Sequence, residues 1–148
     1  MNIRIAAFAD LTASEAYDVA RLRQDVFVVE QECAYPDLDG RDTEPGTAHV
    51  LMHDAGALLG YARVLDDTAT WRVGRVVLAT AARGRGLADG LIEAALGHCR
   101  SEDPARDVVL DAQTPLAGWY AGFGFAVDGE EFVEDGIPHT PMRLSQQG

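Results

Sequence analysis

The chain has 148 residues, a formal net charge of −12 at pH 7 and 47% hydrophobic residues. That length is enough for one domain with a substantial buried core. The acidic balance argues against a general nucleic-acid-binding protein, because binding to phosphates needs a basic face, and it is compatible with a cationic partner such as an amine. No run of apolar residues approaches the roughly 18 that span a membrane, so we expect no membrane partner.

The amino terminus and the cysteine count together predict a cytoplasmic location. The first residues, MNIRIAAFADLT, lack the basic start and the long apolar run of a signal peptide. The two cysteines, Cys33 and Cys99, fit free thiols in a reducing compartment better than a disulfide framework. All 12 basic residues are arginines, so the chain has neither a P-loop lysine nor a Schiff-base lysine.

The hydrophobic pattern predicts a first strand and a first helix at the start of the chain. Residues 2–8 alternate as a strand. Thr12 and Glu15 have the spacing of a capping box, which predicts that a helix begins there. The inward positions of that helix are Ala16, Val19, Ala20, Leu22 and Val26. Residues 32–47 are rich in Asp, Pro and Gly and are predicted to form a loop.

The remaining predicted elements describe a mixed α/β sheet flanked by helices. In chain order they are strands over 49–53, 58–65 and 71–78, a helix over 86–100, a strand over 108–112, a helix over 116–123, and strands over 125–133 and 140–144. No repeat, low-complexity tract or interdomain linker interrupts them. We therefore expect a single domain over residues 1–148.

The stretch ARGRGLADGLIEAALGHC, residues 82–99, places two arginines and two glycines directly before a helical pattern. Glycines let a ligand approach the unpaired N–H groups of a helix's first turn, and arginines add charge and forked hydrogen-bond donors. Together they predict a pyrophosphate cradle, and a plain turn with two solvated arginines is the alternative. The apolar face of this helix comprises Leu87, Ala88, Leu91, Ile92, Ala95, Leu96 and Cys99.

The spacing of the glycines and arginines narrows the type of phosphate site. A Rossmann fingerprint would need a third glycine where Asp89 stands, and a Walker loop needs a lysine. Residues 83–88, RGRGLA, follow a predicted strand and, written as R-x-x-G-x-A, resemble the acyl-CoA-binding motif of the GNAT superfamily of N-acetyltransferases. A second motif, AQTPLAGWYAGFGF at 112–125, agrees, because Tyr120 stands four residues before Gly124 and Phe125 in the usual GNAT arrangement.

Further segments are similar to the ElaA-like branch of the superfamily. They are FVVEQ at 27–31 with Cys33, YP at 35–36, DGRD at 39–42, YAR at 61–63, GRV at 74–76 and EDGIPH at 134–139. The resemblance implies a single GNAT-type domain that uses acetyl-CoA to acylate a small-molecule or peptide amine. A non-catalytic acyl-CoA-binding or sensing module of the same fold is the alternative. A homodimer is compatible with the sequence.

The resemblance also implies roles for individual residues. Tyr120 would protonate the departing sulfur, and its alternative role is aromatic packing between a helix and the sheet. In the family, the fourth strand carries a bulge that leaves backbone groups free for the pantetheine arm, and a backbone N–H there can stabilise an oxyanion. The implied acyl-CoA-binding residues are Val76, Val77, Leu78, Arg83, Gly84, Arg85, Gly86, Leu87, Ala88 and Gln113.

The general base is left open by the sequence. Some relatives carry a carboxylate on the fourth strand, but residues 71–78 contain no acid here. The candidates are Glu30, His49 and His139, and a histidine suits proton transfer near neutral pH. Each could instead have a surface or packing role, and a water chain to bulk solvent is equally open.

Two arginines interrupt strands that are otherwise apolar. Arg63 and Arg75 would be costly to bury without partners. We expect them to pair with an acidic residue of the first-helix loop or to bind a carboxylate of the acceptor. The candidate acidic partners are Glu30, Asp39 and Asp42.

The sequence predicts no metal site. Residues 37–42, DLDGRD, lack the spacing of an EF-hand loop. His49 and His53 are four residues apart, but on a strand they would not converge as they would on a helix. Cys33 has no histidine placed near it by any motif, so a buried or loop thiol is favoured over a nucleophile.

Overall fold

A mixed sheet flanked by helices forms the protein, as the sequence predicts, and it has eight strands within residues 1–146 where the sequence predicts seven. The computed structural model describes residues 1–146. The strands are β1 (Asn2–Ala6), β2 (Ala48–Asp54), β3 (Ala57–Asp66), β4 (Trp71–Leu78), β5 (Val108–Gln113), β6 (Ala126–Val127), β7 (Phe132–Glu134) and β8 (Ile137–Leu144); the helices are α1 (Ala13–Arg23), α2 (Ala88–Glu102) and α3 (Ala117–Ala121). The strand order is β1-β2-β3-β4-β5-β8-β6, with β7 paired to β8. No helix within residues 1–146 is long and apolar enough to cross a bilayer.

Helix α1 begins at the predicted capping box. The N–H of Glu15 donates to Oγ1 of Thr12 at 3.0 Å, and the N–H of Thr12 donates to Oε1 of Glu15 at 2.9 Å. Two backbone donors of the first turn are thereby satisfied. Beyond its last turn the helix continues as a π-helical segment, Gln24–Glu30. The apolar cluster on this face of the sheet consists of Val19, Val26, Leu51, Tyr61 and Val77.

Helix α2 packs on the other face of the sheet through the stripe that the sequence predicts. Its buried residues are Leu91, Ile92, Ala95, Leu96 and Cys99. The predicted start at Gly86 is two residues too early, because the helix begins at Ala88. Gly84 and Gly86 have φ angles of +75° and +72°, in the left-handed region that glycine adopts readily, so they cannot form part of a right-handed helix.

The predicted strand over 125–133 is wrong as a single element. The structure has two short strands there, β6 and β7, which pair with different parts of β8. Between them the N–H of Asp128 donates to the carbonyl of Pro141 at 2.8 Å. Pro141 has no N–H with which to return that hydrogen bond, so the ladder is interrupted at this point. Helix α3 also lies within, and is shorter than, the predicted helix over 116–123.

Strands β4 and β5 run parallel and separate after a short pairing. Their register partners are Trp71 with Val108 and Arg72 with Val109. Strand β4 also carries one extra residue opposite β3, because Tyr61 pairs with Val77 while Arg63 pairs with Gly74. This register shift is a β-bulge centred on Arg75. The separation and the bulge together open the sheet between β4 and β5.

Buried ion pairs hold the loop over residues 31–47 against the sheet. Arg23, which is 1% exposed, pairs with Asp37 at 2.9 Å and with Asp42 at 2.6 Å. Arg63, which is 3% exposed, pairs with Asp39 at 2.9 Å and with Asp42 at 3.0 Å. The predicted pairing of Arg63 with Asp39 and Asp42 is thus confirmed. Removing one partner of a pair that is buried on both sides, such as Arg23 with Asp37, typically costs about 3–5 kcal/mol, because it leaves a charge without compensation.

These carboxylates should make stability sensitive to acid. Burial alone would raise the pKa of Asp39, but hydrogen bonds from Arg63 and from the backbone N–H of Arg41 outweigh it, and the pKa of Asp39 lies well below its usual value. Burial would likewise raise the pKa of Asp42, but the hydrogen bond from Arg23 outweighs this effect, and the pKa of Asp42 is lowered overall. A carboxyl with a lowered pKa in the folded state stabilises the fold above its unfolded pKa of about 4, and this contribution is lost as the pH falls below that value.

We therefore expect Asp39→Asn to lower the free energy of unfolding at pH 7 and to flatten its decrease between about pH 5 and pH 2. Denaturant unfolding at a series of pH values measures both effects. Asp18→Asn is the matched control, because Asp18 is an exposed carboxylate on α1 and has no ion pair within residues 1–146. An Asp39→Asn variant with the acid dependence of the wild type would contradict the role of these ion pairs.

Candidate active site

A cleft of about 1030 Å³ opens where β4 and β5 separate. The bulged part of β4, the end of β5, α3, the π-helical segment and the turn between β7 and β8 form its walls. Among the residues predicted for the site, those that line it are Glu30, Val76, Val77, Leu78, Arg83, Ala88, Gln113, Tyr120 and His139. The others, Gly84, Arg85, Gly86 and Leu87, lie in the loop next to it, directly before α2. The fold thus brings distant parts of the chain to one cleft.

The glycine-arginine loop, residues 83–87, leaves open space at the start of α2. A Cβ added to Gly84 or Gly86 would meet no atom within 4 Å, so the positive φ angles, and not crowding by the protein, require glycine. No side chain within residues 1–146 caps helix α2, which leaves its first N–H groups available. Arg85 is exposed, and no carboxylate within residues 1–146 pairs with it. Backbone donors, a helix dipole and a free guanidinium suit a bound pyrophosphate.

Arg83, the first residue of this loop, forms an ion pair with Glu30 across the entrance to the cleft. Its two terminal nitrogens donate to the two carboxylate oxygens at 2.7 and 3.0 Å. The hydrogen bond from Arg83 lowers the pKa of Glu30. A carboxylate whose pKa is lowered is a weaker proton acceptor, so Glu30 is a poor base while this ion pair is formed.

Tyr120 is buried beside the cleft, with 7% of its surface exposed. Its ring makes edge contacts with Trp119 and Phe125, at centroid distances of 4.7 and 6.1 Å. Within residues 1–146, no group forms a hydrogen bond with its hydroxyl. Burial raises the pKa of Tyr120 to about 12, so the hydroxyl remains a proton donor throughout the physiological range.

His139 lies on β8, lines the cleft and is in register with Gln113 of β5. Its Nδ1 lies 2.8 Å from the backbone oxygen of Ile137. A carbonyl oxygen only accepts, so Nδ1 must carry the proton, and in the neutral ring Nε2 has a free lone pair. Phe132 stacks on the imidazole at 5.5 Å with an interplanar angle of 18°, which fixes the plane of the ring.

Hydrogen bonds of Gln113 and Cys33 also connect the walls of the cleft. The side chain of Gln113 donates to the side-chain oxygen of Gln31 at 3.4 Å, which joins β5 to the residue that follows the π-helical segment. The thiol of Cys33 donates to the backbone oxygen of Asp135 at 3.5 Å, which joins the same loop to the turn between β7 and β8. Cys33 is therefore part of the wall, as a buried thiol.

The arginines that line the cleft are all engaged by carboxylates. Arg63 and Arg83 are paired as described, Arg72 pairs with Asp67 at 3.3 Å and Asp111 at 3.0 Å, and Arg75 pairs with Asp37 at 2.9 Å and Asp39 at 3.4 Å. Two lining acids, Glu134 at the end of β7 and Asp135 in the turn that follows, are exposed and have no ion pair within the described chain. In the same part of the chain, no three His, Cys, Asp or Glu side chains converge to hold a metal ion.

The sequence did not predict the contacts that His49 and Asp37 make in the structure. His49 is 1% exposed and lies outside the lining of the cleft; its Nε2 donates to the backbone oxygen of Asp42 at 2.8 Å, and its Nδ1 accepts from the hydroxyl of Tyr61 at 2.6 Å. With both nitrogens bonded, His49 is a structural residue and not a base. Asp37 is a partner of Arg75 that the sequence analysis missed, and the only signal for it was the density of acids in the loop.

Sequence and structure comparisons agree on the relatives of this chain. Residues 15–146 match the acetyltransferase (GNAT) domain. A UPF0039 protein from Mycobacterium tuberculosis is 41% identical over 138 residues, which cover 90% of this chain and 86% of that protein. The crystal structure of Escherichia coli ElaA superposes with a TM-score of 0.93 at 35% identity, and that of an acyl-CoA N-acyltransferase from Pseudomonas aeruginosa with a TM-score of 0.93 at 39% identity; each covers 97% of this chain and 99% of the relative.

The opened sheet, the loop before α2 and these relatives together define the class of the protein. The chain belongs to the GNAT acetyltransferase family and is an N-acyltransferase. Its similarity to ElaA over nearly the whole chain places it in the ElaA-like branch of that family.

Proposed function

We propose that the protein transfers an acetyl group from acetyl-CoA to a cationic amine, by direct attack of the amine on the thioester. The observation that carries this proposal is the cleft between β4 and β5, which has the glycine-arginine loop at one end and is lined by Tyr120. A narrow gap between two strands suits an extended chain such as pantetheine, and the loop suits the pyrophosphate at the other end of the same molecule.

In this proposal each predicted acyl-CoA-binding residue contributes a defined group. The N–H groups of residues 84–88 and the guanidinium groups of Arg83 and Arg85 bind the pyrophosphate. Val76, Val77 and Leu78 of β4 flank the pantetheine arm on one side, and Gln113 of β5 on the other. Arg83 must leave Glu30 to reach the phosphates, so binding would release the carboxylate of Glu30. Acetyl-CoA supplies the acyl group as a thioester.

The proposed reaction forms one C–N bond and breaks one C–S bond. Nε2 of His139 accepts a proton from the attacking amine, and a backbone N–H at the β4 bulge stabilises the oxyanion. Tyr120 donates its hydroxyl proton toward the sulfur as it leaves. The pKa of Tyr120, about 12, exceeds the roughly 8.5 of an ordinary thiol, so donation of a hydrogen bond should contribute more than complete proton transfer. The departing thiolate then takes a proton from solvent, and His139 returns the proton of the amine to solvent.

The charges of the cleft support a cationic acceptor. An acceptor carboxylate would need a free arginine. Arg63, Arg72 and Arg75 already pair with carboxylates in the described chain, and Arg83, which pairs with Glu30, is assigned to the phosphates. Glu134 and Asp135 have no ion pair within residues 1–146 and would attract a positive charge. The two free thiols, Cys33 and Cys99, support a reducing, cytoplasmic environment.

The proposal is tested by thiol release from acetyl-CoA with a panel of amines. We expect turnover with diamines and polyamines and little with amino acids, whose carboxylate finds no free arginine.

Gly86→Val should weaken acetyl-CoA binding by about tenfold or more, because it fills the approach to the N–H groups and strains a backbone with φ +72°. Gly97→Val is the matched control, since a side chain there also meets open space, but in a helix and at an ordinary φ.

Calorimetry measures the binding of acetyl-CoA to both variants. Equal affinity in Gly86→Val and wild type would contradict the cradle. Tight binding without turnover for any amine would indicate a sensing module instead of an enzyme.

Tyr120→Phe should lower kcat roughly ten- to a hundredfold, with acetyl-CoA affinity and melting temperature nearly unchanged. The phenyl ring keeps the contacts with Trp119 and Phe125, and only the hydroxyl is lost. Since burial raises the pKa of Tyr120 to about 12, the ratio of wild-type to variant kcat should stay constant between about pH 6 and pH 9. A variant with wild-type kcat, when chemistry limits the rate, would make Tyr120 a packing residue.

His139 and Glu30 are separated as candidate bases by a pair of amide substitutions. His139→Gln should lower kcat/KM roughly a hundredfold, because the free lone pair of Nε2 is lost. Glu30→Gln should change kcat little and lower the KM for acetyl-CoA, because Arg83 is then free to meet the phosphates. The reverse pattern in these two variants would assign the base to Glu30.

A further inference from the structure

The β4 bulge places an arginine, and not a glycine, in a left-handed conformation. Arg75 has φ +52°, which side chains rarely adopt. Its neighbour Gly74 could take such a conformation without strain, yet Gly74 has no positive φ, and a Cβ there would meet no atom within 4 Å. The strain is therefore located at Arg75 although a glycine stands beside it. Strain of this kind persists only where the surrounding structure compensates for it.

The side chain of Arg75 makes the compensating contacts. Its Nε lies 2.9 Å from Oδ1 of Asp37, as an ion pair without the alignment of a hydrogen bond. Its Nη2 donates to the backbone oxygen of Asp37 at 3.1 Å and lies 3.4 Å from Oδ2 of Asp39. The guanidinium lies 5.5 Å from the ring centroid of Tyr35, within range of a cation–π contact.

The anchor that receives Arg75 is itself fixed. Asp37 is buried, and Nε and Nη2 of Arg23 donate to its Oδ2 and its backbone oxygen at 2.9 and 2.7 Å. The hydroxyl of Tyr35 donates to the remaining carboxylate oxygen. The loop thus presents fixed, negatively charged acceptors, Asp37 and Asp39, to the strained Arg75 of β4.

We propose that Arg75 is a positioning residue: its ion pairs with Asp37 and Asp39 hold the β4 bulge in the conformation that aims backbone groups into the cleft. The side chain acts through the backbone and does not itself touch the reacting atoms. This inference rests on the proposed function, because the bulge matters for catalysis only if a thioester lies beside it. It also has a consequence that does not depend on catalysis, because the ion pairs should slow hydrogen exchange of the β4 backbone amides.

The experiment compares Arg75→Gly and Arg75→Lys with the wild type. Glycine removes the ion pairs but accepts the positive φ, so loss of function cannot come from new backbone strain; lysine keeps the charge but loses the planar fork. For Arg75→Gly we expect kcat to fall roughly ten- to a hundredfold while the dissociation constant of acetyl-CoA changes less than about threefold. Hydrogen–deuterium exchange of residues 73–78 should become faster. Arg75→Lys should lie between.

The control is Arg143→Ala, which removes ion pairs with Asp107 and Asp128 from β8 outside the lining of the cleft and should leave kcat unchanged. Wild-type kcat in Arg75→Gly would overturn the proposal. A rise in the dissociation constant that matches the fall in kcat would also overturn it, since Arg75 would then bind the cofactor directly. If the wild type itself has no transferase activity, the proposed function fails, and unchanged exchange in Arg75→Gly would independently overturn the positioning role.

Discussion

The bulged part of β4 and the loop over residues 31–47, which both border the cleft, depend on one group of ion pairs, formed by Arg23, Arg63, Arg75, Asp37, Asp39 and Asp42. The loop over residues 31–47 has no regular secondary structure to define its path. Taking these charges out of water is unfavourable unless every one of them finds its partners. A displaced loop would leave buried charges uncompensated, so the ion pairs specify one position for the loop more strictly than apolar contacts would.

The opening in the sheet has a related origin. Where β4 and β5 separate, backbone N–H and C=O groups lose strand partners, which would be unfavourable in a closed core. Here they border an open cleft, where water or a ligand can satisfy them. The same irregularity therefore removes hydrogen bonds from the sheet and provides the donors and acceptors of a binding site.

The parts of the fold that the sequence predicts well are those set by neighbouring residues. The capping box at Thr12 and Glu15 and the buried stripe of α2 each depend on contacts or periodicity within a few residues. Pro141 has no N–H to donate to a neighbouring strand. The gap between β6 and β7 opposite it could therefore have been predicted from the sequence.

The parts that could not be predicted depend on contacts that are distant in sequence. His49 and His139 look alike in the sequence, both in or beside strands. Both ring nitrogens of His49 are hydrogen-bonded, to Tyr61 and Asp42, while Nε2 of His139 has no hydrogen-bond partner within residues 1–146 and lies at the cleft. The positive φ of Arg75 is equally hidden, because Gly74 is the residue that a sequence pattern would place there.

The exclusive use of arginine gives the cleft an asymmetric response to pH. A guanidinium keeps its proton at pH values where a lysine would begin to lose it. Although burial alone would lower the pKa of Arg23, its hydrogen bond to Asp42 helps to raise the pKa overall. Acidic pH can therefore neutralise the aspartates of these ion pairs, whereas alkaline pH leaves the arginines charged. An amine becomes a nucleophile only after it loses a proton, which alkaline pH favours. The ion pairs are therefore retained at the pH values at which an acceptor amine is most reactive.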